Sequence, residues 1–201
     1  MKSEKTGVAF LDVDTQFDFV EPAGKLYASG AETIKPNLAK LFALAAAKKI
    51  PLVSSVDSHA PGDPEFGQFP PHCLAGTPGQ AKLPETRTGR EVTVSSARAQ
   101  KLPDPKKVHV VLEKQVFPVF GNENASEIFA ATGAGTFYVF GVVTEVCVKA
   151  AAAGLLERGY RVALVEDAIW PIEAKAGEAT KAELVKKGAR LVSTAQGLAE
   201  V

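Results

Sequence analysis

The stretch TFYVFGVVTEVCVKAAAAGLLERG, residues 136–159, decides the fold class of this chain. Its first eight residues are rich in aromatic and β-branched side chains, which is typical of a buried strand. The alanine-rich remainder favours a helix, and Gly159 stands where a C-cap glycine would end it. A buried strand that runs directly into a helix is the repeating unit of a parallel sheet with helices on both faces.

The same alternation of apolar runs and helical patterns continues on both sides of that stretch. Further strands are predicted at VAFLDV (8–13), IPLVSSV (50–56), VHVVLEK (108–114), RVALVED (161–167) and ARLVS (189–193). Helices are predicted over SEIFAATG (126–133), around 173–187, and on an apolar face formed by Ile34, Leu38, Leu41, Leu44 and Ala45. We therefore expect a three-layer α/β/α fold with an open, mostly parallel, six-stranded Rossmann-like sheet, in a single domain over residues 1–201.

The charge balance argues against nucleic acid and membrane partners. Basic and acidic residues number 23 each, so the chain has no net charge to attract a polyanion or an anionic lipid surface. The N-terminal MKSEKTG lacks the apolar core of a signal peptide, and no apolar run is long enough to span a bilayer. Cys73 and Cys147 could form one disulfide, but free thiols are the better default. We expect a cytoplasmic protein.

A proline- and glycine-rich region from 58 to 106 is too long for a passive connection, which predicts an active-site loop. Four oxygen or nitrogen donors lie at its start, Asp57, His59, Glu65 and His72, just past a predicted strand. Open α/β sheets place their ligands at this position. Asp57 and His59 point to the same side of an extended segment, and two prolines stiffen the backbone before His72. This all-N/O donor set suits zinc, iron or manganese.

Two members of this region leave alternatives open. Glu65 is a lone glutamate in a loop, and such a residue is usually just solvated. Cys73 could replace His72 as a ligand or act as a nucleophile. Because adjacent residues of an extended chain face opposite ways, only one of the two would point at a metal.

A cysteine, a carboxylate and a lysine are also predicted at this edge of the sheet. Cys147 lies in the first turn of a helix with Thr144 as a candidate N-cap, where a lowered thiol pKa would favour a nucleophile. The alternative for Cys147 is a small buried hydrophobe. Asp14, just past the first strand, would accept the proton, and Lys114 would keep that carboxylate ionised. From the residues alone, a solvated strand end is the stronger interpretation of Lys114.

Aromatic side chains flank these polar positions and describe a pocket for a small flat ligand, although each could equally belong to the core. They are Phe19, Phe69, Phe117 and Phe120. No GxGxxG motif follows any predicted strand, so dinucleotide binding has little support.

Taken together, these residues resemble the nicotinamidases (pyrazinamidases) of the isochorismatase-like cysteine hydrolase superfamily, over nearly the whole chain. The motifs that carry the resemblance are DTQFDF at 14–19, DSH at 57–59, FPPHCLAGTPG at 69–79, Lys114, and GVVTEVCV at 141–148. Two of these motifs depart from the usual family pattern. VDVQNDF reads VDTQFDF here, and the usual Thr-Asp before the cysteine reads Thr144-Glu145.

The resemblance implies a role for each residue of the catalytic set. Asp14 would be the base, Lys114 its electrostatic partner and Cys147 the nucleophile. Val142–Val143 would be a cis peptide, and the amides of Val143 and Cys147 would form the oxyanion hole.

The resemblance also implies a metal and a substrate. Asp57, His59 and His72 match the metal ligands of the family, with Glu65 in place of a further histidine. One divalent ion is expected, zinc before iron or manganese, and it would coordinate the ring nitrogen of the substrate. Phe19 and Phe69 match positions that sandwich a pyridine ring, and Phe117 is expected beside them.

The implied activity is metal-dependent hydrolysis of nicotinamide, and of pyrazinamide-like amides, to the acid and ammonia through a cysteine thioester. The alternative within the superfamily is a hydrolase of an N-carbamoyl or ureido compound. A third possibility is a non-catalytic metal- or nucleotide-binding module. The partners expected are a small-molecule amide and, as an option, a second copy of the chain in a homo-oligomer.

Overall fold

The computed structural model describes residues 6–201, which form one seven-stranded parallel sheet in the order β3-β4-β2-β1-β5-β6-β7. The strands are β1 Gly7–Val13, β2 Leu52–Asp57, β3 Glu91–Val94, β4 His109–Lys114, β5 Ala134–Val142, β6 Arg161–Trp170 and β7 Arg190–Val192. The parallel α/β class is confirmed, but the prediction of six strands was one short. The additional strand, β3, is a four-residue edge strand whose first three side chains are not buried, so it carries little hydrophobic signal.

Within the described residues, six α-helices connect or follow the strands. They are α1 Phe17–Val20, α2 Lys35–Lys48, α3 Ala125–Ala131, α4 Lys149–Glu157, α5 Ala174–Lys186 and α6 Thr194–Glu200. Helix α6, which the sequence did not predict, begins with a capping box in which the Ser193 hydroxyl accepts from the Gln196 amide. Gly159 adopts a φ of 80° just beyond α4, a conformation that glycine takes without strain.

The side chains of β5 show that the sheet is covered on both faces. Phe137 packs on Phe129 of α3, whereas its neighbour Tyr138 donates a hydrogen bond to Glu200 of α6. Successive residues of a strand point to opposite faces, so α3 and α6 lie in different layers. Helix α2 packs with α6, and α4 packs with α5.

The strand order places the point of reversal at β1. From β1 the chain builds outward through β2 and β4 on one side, and then through β5, β6 and β7 on the other. In open α/β sheets the crevice at this switch point, beyond the carboxyl ends of the strands, is the usual ligand position. A site is therefore expected where β1, β2, β4 and β5 end.

Part of the long region 58–106 covers the end of β1. The Leu83 amide donates to the Thr15 carbonyl at 3.0 Å, and the Lys82 ammonium forms a buried ion pair with Asp12. Asp12 also accepts from Ser54, whose hydroxyl lies 2.7 Å from the His109 ring. Asp12 is thus a buried carboxylate whose partners are already in place. Within residues 6–201, no helix combines the length and apolar character needed to cross a bilayer.

Candidate active site

Asp14, Lys114 and Cys147 meet at the carboxyl ends of β1, β4 and β5. The Lys114 ammonium lies 2.8 Å from an Asp14 carboxylate oxygen and donates to the Cys147 sulfur at 3.6 Å. It also forms an ion pair with Asp57, which is its register partner on β2. Lys114 is only 1% exposed. The interpretation of Lys114 as a solvated strand end was therefore wrong, because strand pairing turns its head inward between two carboxylates.

Asp14 is held in place by its backbone and by β2. Its amide donates to the Ser55 carbonyl at 3.2 Å, and the Ser55 hydroxyl donates to its Oδ1 at 2.7 Å. The backbone of Asp14 has a φ of 49°, a left-handed conformation that costs a non-glycine residue about 1–2 kcal/mol. Such strain persists where surrounding contacts fix it, often at active sites.

The electrostatics of the three groups favour a neutral thiol beside a basic carboxylate. Burial raises the pKa of Asp14, and Lys114 offsets this only in part. Burial also raises the pKa of the Cys147 thiol well above its ordinary value, against the opposing effect of Lys114. Burial would lower the pKa of Lys114, but Asp14 and Asp57 raise it, so the lysine stays charged. Ligand atoms of Asp14 and Cys147 lie within 4.8 Å of each other, so the carboxylate is close to the thiol.

Cys147 sits in a π-helical turn, Thr144–Val148, that directly precedes α4. The prediction of Thr144 as N-cap was wrong, since the cap position is Val143 and no side chain caps this turn. The expected lowering of the thiol pKa is also absent, because burial outweighs any favourable dipole at this short turn.

The segment before this turn approaches β1 closely. Gly141 has a φ of 118°, and a Cβ there would lie 2.0 Å from the Val13 carbonyl oxygen, so only glycine fits. The next peptide bond, Val142–Val143, is cis. The Val143 carbonyl accepts from the amides of Val146 and Val148 at 3.1 Å, which anchors the turn that carries Cys147.

The predicted metal donors converge beside this set. Ligand atoms of Asp57, His59 and His72 all lie within 4.8 Å of one another, and all three residues are buried. A Glu65 oxygen lies 3.7 Å from His72 Nε2. Cys73 is not part of this group. Its thiol instead donates to the Gly79 carbonyl at 3.9 Å, and burial raises its pKa.

The free nitrogens of the two histidines fit a cation. His72 Nδ1 lies 2.9 Å from the Pro70 carbonyl and donates to it, so in the neutral ring the lone pair is on Nε2. His59 Nδ1 lies 3.0 Å from an Asp63 carboxylate oxygen. The Nε2 atoms of both rings are buried and have no hydrogen-bond partner among the described residues. Metal-bound histidines usually have an orienting acceptor on the other nitrogen, as His72 has in Pro70. His59 Nδ1 has the charge contact with Asp63 but no hydrogen bond among the described residues.

Two polar residues whose roles the sequence did not reveal hold these loops together. The side-chain Nε2 of Gln16 donates to the backbone carbonyls of Asp57 and Gln80 at 2.9 and 2.8 Å. Its side-chain Oε1 accepts from the backbone amide of Asp57 at 2.7 Å. Asp18 accepts from the Cys73 amide at 2.7 Å, which fixes the segment beside His72. Both belong to the DTQFDF motif, and their spacing in that motif was the available signal.

Replacing Gln16 with alanine is expected to lower the free energy of unfolding by about 2–4 kcal/mol, because the buried amide and carbonyl of Asp57 and the part-buried carbonyl of Gln80 lose this partner. Urea denaturation measures this change. Gln100→Ala is the matched control, since Gln100 is exposed and should change stability by less than about 0.5 kcal/mol. Equal stabilities for the two variants would contradict the role of Gln16.

One cavity joins the catalytic and metal-donor groups. Its volume is about 400 Å³ including the open mouth, and Asp57, Glu65, His72 and Cys147 all line it. The remaining lining is apolar: Phe19, Leu26, Phe69, Phe117, Val142, Val143, Val146 and Ile172. Phe120 is not among these residues. It packs on Phe129 and beneath the Arg158 guanidinium, so the expectation that it flanks the site was wrong.

The chain is similar to several proteins of described activity. A pyrazinamidase of Pyrococcus horikoshii, solved in complex with zinc, is 26% identical, with a TM-score of 0.76 over 92% of this chain and 98% of that one. N-carbamoylsarcosine amidase from Thermoplasma acidophilum is 25% identical, with a TM-score of 0.75 over 94% and 97%. A secreted isochorismatase effector, Isc1, of Verticillium dahliae is 29% identical over 157 residues, which are 78% of this chain and 69% of that protein.

The family assignment rests on a match along almost the entire chain. The isochorismatase domain matches residues 8–196, from β1 to within α6. The solved structures include amide hydrolases, in agreement with the resemblance stated from the motifs. This chain therefore belongs to the isochorismatase domain family.

Proposed function

We propose that this protein is a metal-dependent cysteine amidase that converts nicotinamide, and related flat carboxamides, to the carboxylate and ammonia. The observation that carries the proposal is a single apolar cavity lined by both Cys147 and the donors Asp57, Glu65 and His72. Such a cavity suits a flat ring whose heteroatom faces the donors and whose carboxamide faces the thiol.

The first half of the reaction would form a thioester. Asp14 accepts the proton of the Cys147 thiol, and the thiolate attacks the carboxamide carbon. The backbone amides of Val143 and Cys147 would stabilise the negative charge on the carbonyl oxygen. The C–N bond then breaks, and Asp14 returns its proton to the nitrogen, so that ammonia leaves.

The second half would hydrolyse the thioester. Asp14, again a carboxylate, accepts a proton from a water molecule that attacks the acyl carbon. The C–S bond breaks, the carboxylic acid leaves, and the proton returns to the Cys147 sulfur. Lys114 stays charged throughout and holds Asp14 beside that sulfur.

Asp57, His59, His72 and Glu65 would hold the divalent ion. The close donor atoms of the first three and the unpartnered Nε2 atoms of both histidines fit one, and Glu65 lies beside His72. When bound, the ion supplies a Lewis acid for a heteroatom of the substrate ring. The chemistry of the donors suits zinc, iron or manganese, and zinc is proposed first because the Pyrococcus relative was solved with it.

Replacing His72 with alanine is expected to reduce the metal content of the purified protein from about one divalent ion per chain to near zero. Elemental analysis measures the metal content. As a second readout, a chelator should lower the melting temperature of the wild-type protein but not that of His72→Ala. Cys147→Ala is the control that keeps every proposed ligand and should keep the ion. Equal metal content in the two variants would remove His72 from the ligand set.

The runner-up function is hydrolysis of an N-carbamoyl amino acid, as the name of the Thermoplasma relative indicates for that protein. A carboxylate on such a substrate needs a cationic partner in the cavity. None of the described residues that line the cavity is a lysine or arginine, and Lys114 is engaged beneath it. The uncharged carboxamide is therefore favoured.

Ammonia release from a panel of amides tests the proposal directly. Nicotinamide and pyrazinamide are expected to be substrates, whereas N-carbamoylsarcosine is expected to react at least about tenfold more slowly. Preference for the carbamoyl compound would reverse the order of the two functions, and no release from any amide would contradict both. The cytoplasmic location and a homo-oligomeric state stay predictions.

A further inference from the structure

The segment Pro171–Glu173 forms part of the mouth of the cavity. Ile172 lines the cavity and is nevertheless 52% exposed, so its side chain lies where the cavity opens to solvent. A second cavity, of about 770 Å³ with its opening, also has Ile172 in its lining, together with Thr144 and Trp170. Ile172 therefore borders two open spaces, and packing gives its half-exposed side chain little support.

One carboxylate instead holds this segment. Glu145 Oε1 accepts hydrogen bonds from the amides of Ile172 and Glu173 at 3.0 and 2.9 Å. At the other end of the segment, Pro171 rests against Gly177 of α5, where a Cβ would lie 2.7 Å from the proline ring. The turn that carries Cys147 also carries Glu145, two residues earlier. The mouth of the cavity is thus tied to the same turn as the nucleophile.

We propose that Ile172 is the residue that sets the size limit for substrates, and that Glu145 is the positioning residue that holds Ile172 in place. This inference rests on the proposed amidase function, because it names the substrate class of the same cavity. The class is an unsubstituted single-ring carboxamide. Ile172 would exclude fused rings and rings with a bulky group on the side facing the mouth.

The reactivity of Cys147 tests this proposal without any turnover. Iodoacetamide is a small probe and N-(1-pyrenyl)maleimide a bulky apolar one, and peptide mass spectrometry reports the labelling rate of Cys147 for each. Ile172→Ala is expected to raise the bulky-to-small rate ratio about tenfold, and Ile172→Phe to lower it. A ratio that stays the same in both variants would overturn the proposal.

Two controls separate an opened mouth from a loosened fold. Val185→Ala removes an isoleucine-like side chain that is 43% exposed on α5 but outside the cavity, and it should leave the ratio unchanged. Cys73 is fully buried, so its labelling in the same digest reports unfolding. A rise in the ratio for Ile172→Ala that is matched by faster Cys73 labelling would count against a role in size selection.

Substitutions at Glu145 test the positioning role. Glu145→Ala removes the acceptor for both amides and is expected to raise the bulky-to-small labelling ratio as Ile172→Ala does. Glu145→Gln keeps an acceptor oxygen and should show the wild-type ratio. Because both residues act through one segment, the double variant Glu145→Ala/Ile172→Ala should show no further rise. A wild-type ratio in Glu145→Ala, or a fully additive double variant, would overturn the positioning role.

Turnover then connects the size limit with specificity. In Ile172→Ala, kcat/KM for quinoline-3-carboxamide relative to nicotinamide is expected to rise about tenfold. If the wild-type protein hydrolyses no amide while the labelling ratios follow the pattern above, the proposed function fails and the role of Ile172 stands. If amides are hydrolysed but neither the labelling ratio nor the relative kcat/KM changes, the role of Ile172 fails and the function stands.

Discussion

Cys147→Ala is expected to reduce kcat for nicotinamide hydrolysis at least about 10⁴-fold. The substitution removes the sulfur that is proposed to form the thioester, while Asp14 and Lys114 remain beside the site. Cys147 is 6% exposed and lines the cavity, and alanine at this position removes one sulfur atom without an unpaired charge. The fold should therefore survive, and coupled detection of ammonia measures the loss.

Cys73→Ala is the matched control for this variant. Cys73 is the other cysteine of the chain and is also buried and free, but it lies outside the cavity. Its replacement should leave kcat within about threefold of wild type, which corresponds to a change of less than about 1 kcal/mol in the activation free energy. Full activity in Cys147→Ala, or equal losses in the two variants, would remove Cys147 as the nucleophile.

Lys114→Met is expected to reduce the free energy of unfolding by about 3–5 kcal/mol. The lysine is buried between Asp14 and Asp57, and methionine would leave two carboxylates without their counter-charge. Chemical denaturation with a chelator present measures the effect without a contribution from a bound cation. Lys101→Met, at an exposed position, should change stability by less than about 0.5 kcal/mol.

The size of this loss should depend on pH. Without the ammonium, burial raises the pKa of both carboxyls in the folded state above the unfolded value of about 4. A group with a raised folded pKa destabilises the fold progressively as pH rises from its unfolded value through its folded value. The Lys114→Met protein should therefore lose less stability at about pH 5 than at about pH 8. Adding Asp57→Asn should recover part of the loss, and no recovery would contradict the shared ion pair.

The sequence revealed those site residues that directly follow a recognisable strand. Asp14 and Cys147 follow runs that are unmistakably strand-like, so their arrival at one edge follows from the parallel topology. His59 and His72 stand out because the chain has only three histidines. The polar third histidine, His109, is held in a buried network with Ser54, where burial lowers its pKa to about 4.

Other features depend on contacts between distant segments and have no local signal. Lys114 looked like an ordinary strand end because its pairing with Asp57 exists only once β2 and β4 are aligned. Gln16 and Asp18 act by hydrogen bonds to backbone groups more than forty residues away, and a polar side chain does not reveal such a partner in advance. The edge strand β3 lacks buried alternation, so periodicity missed it.

The central position of β1 in the sheet has a consequence for folding during synthesis. β1 ends at Val13, but its second neighbour, β5, begins only at Ala134. During synthesis one edge of this buried, largely apolar strand therefore stays unpaired until β5 has been made. A chain that ends before β5 would expose that edge and lack Cys147, so we expect such a chain to be prone to aggregation.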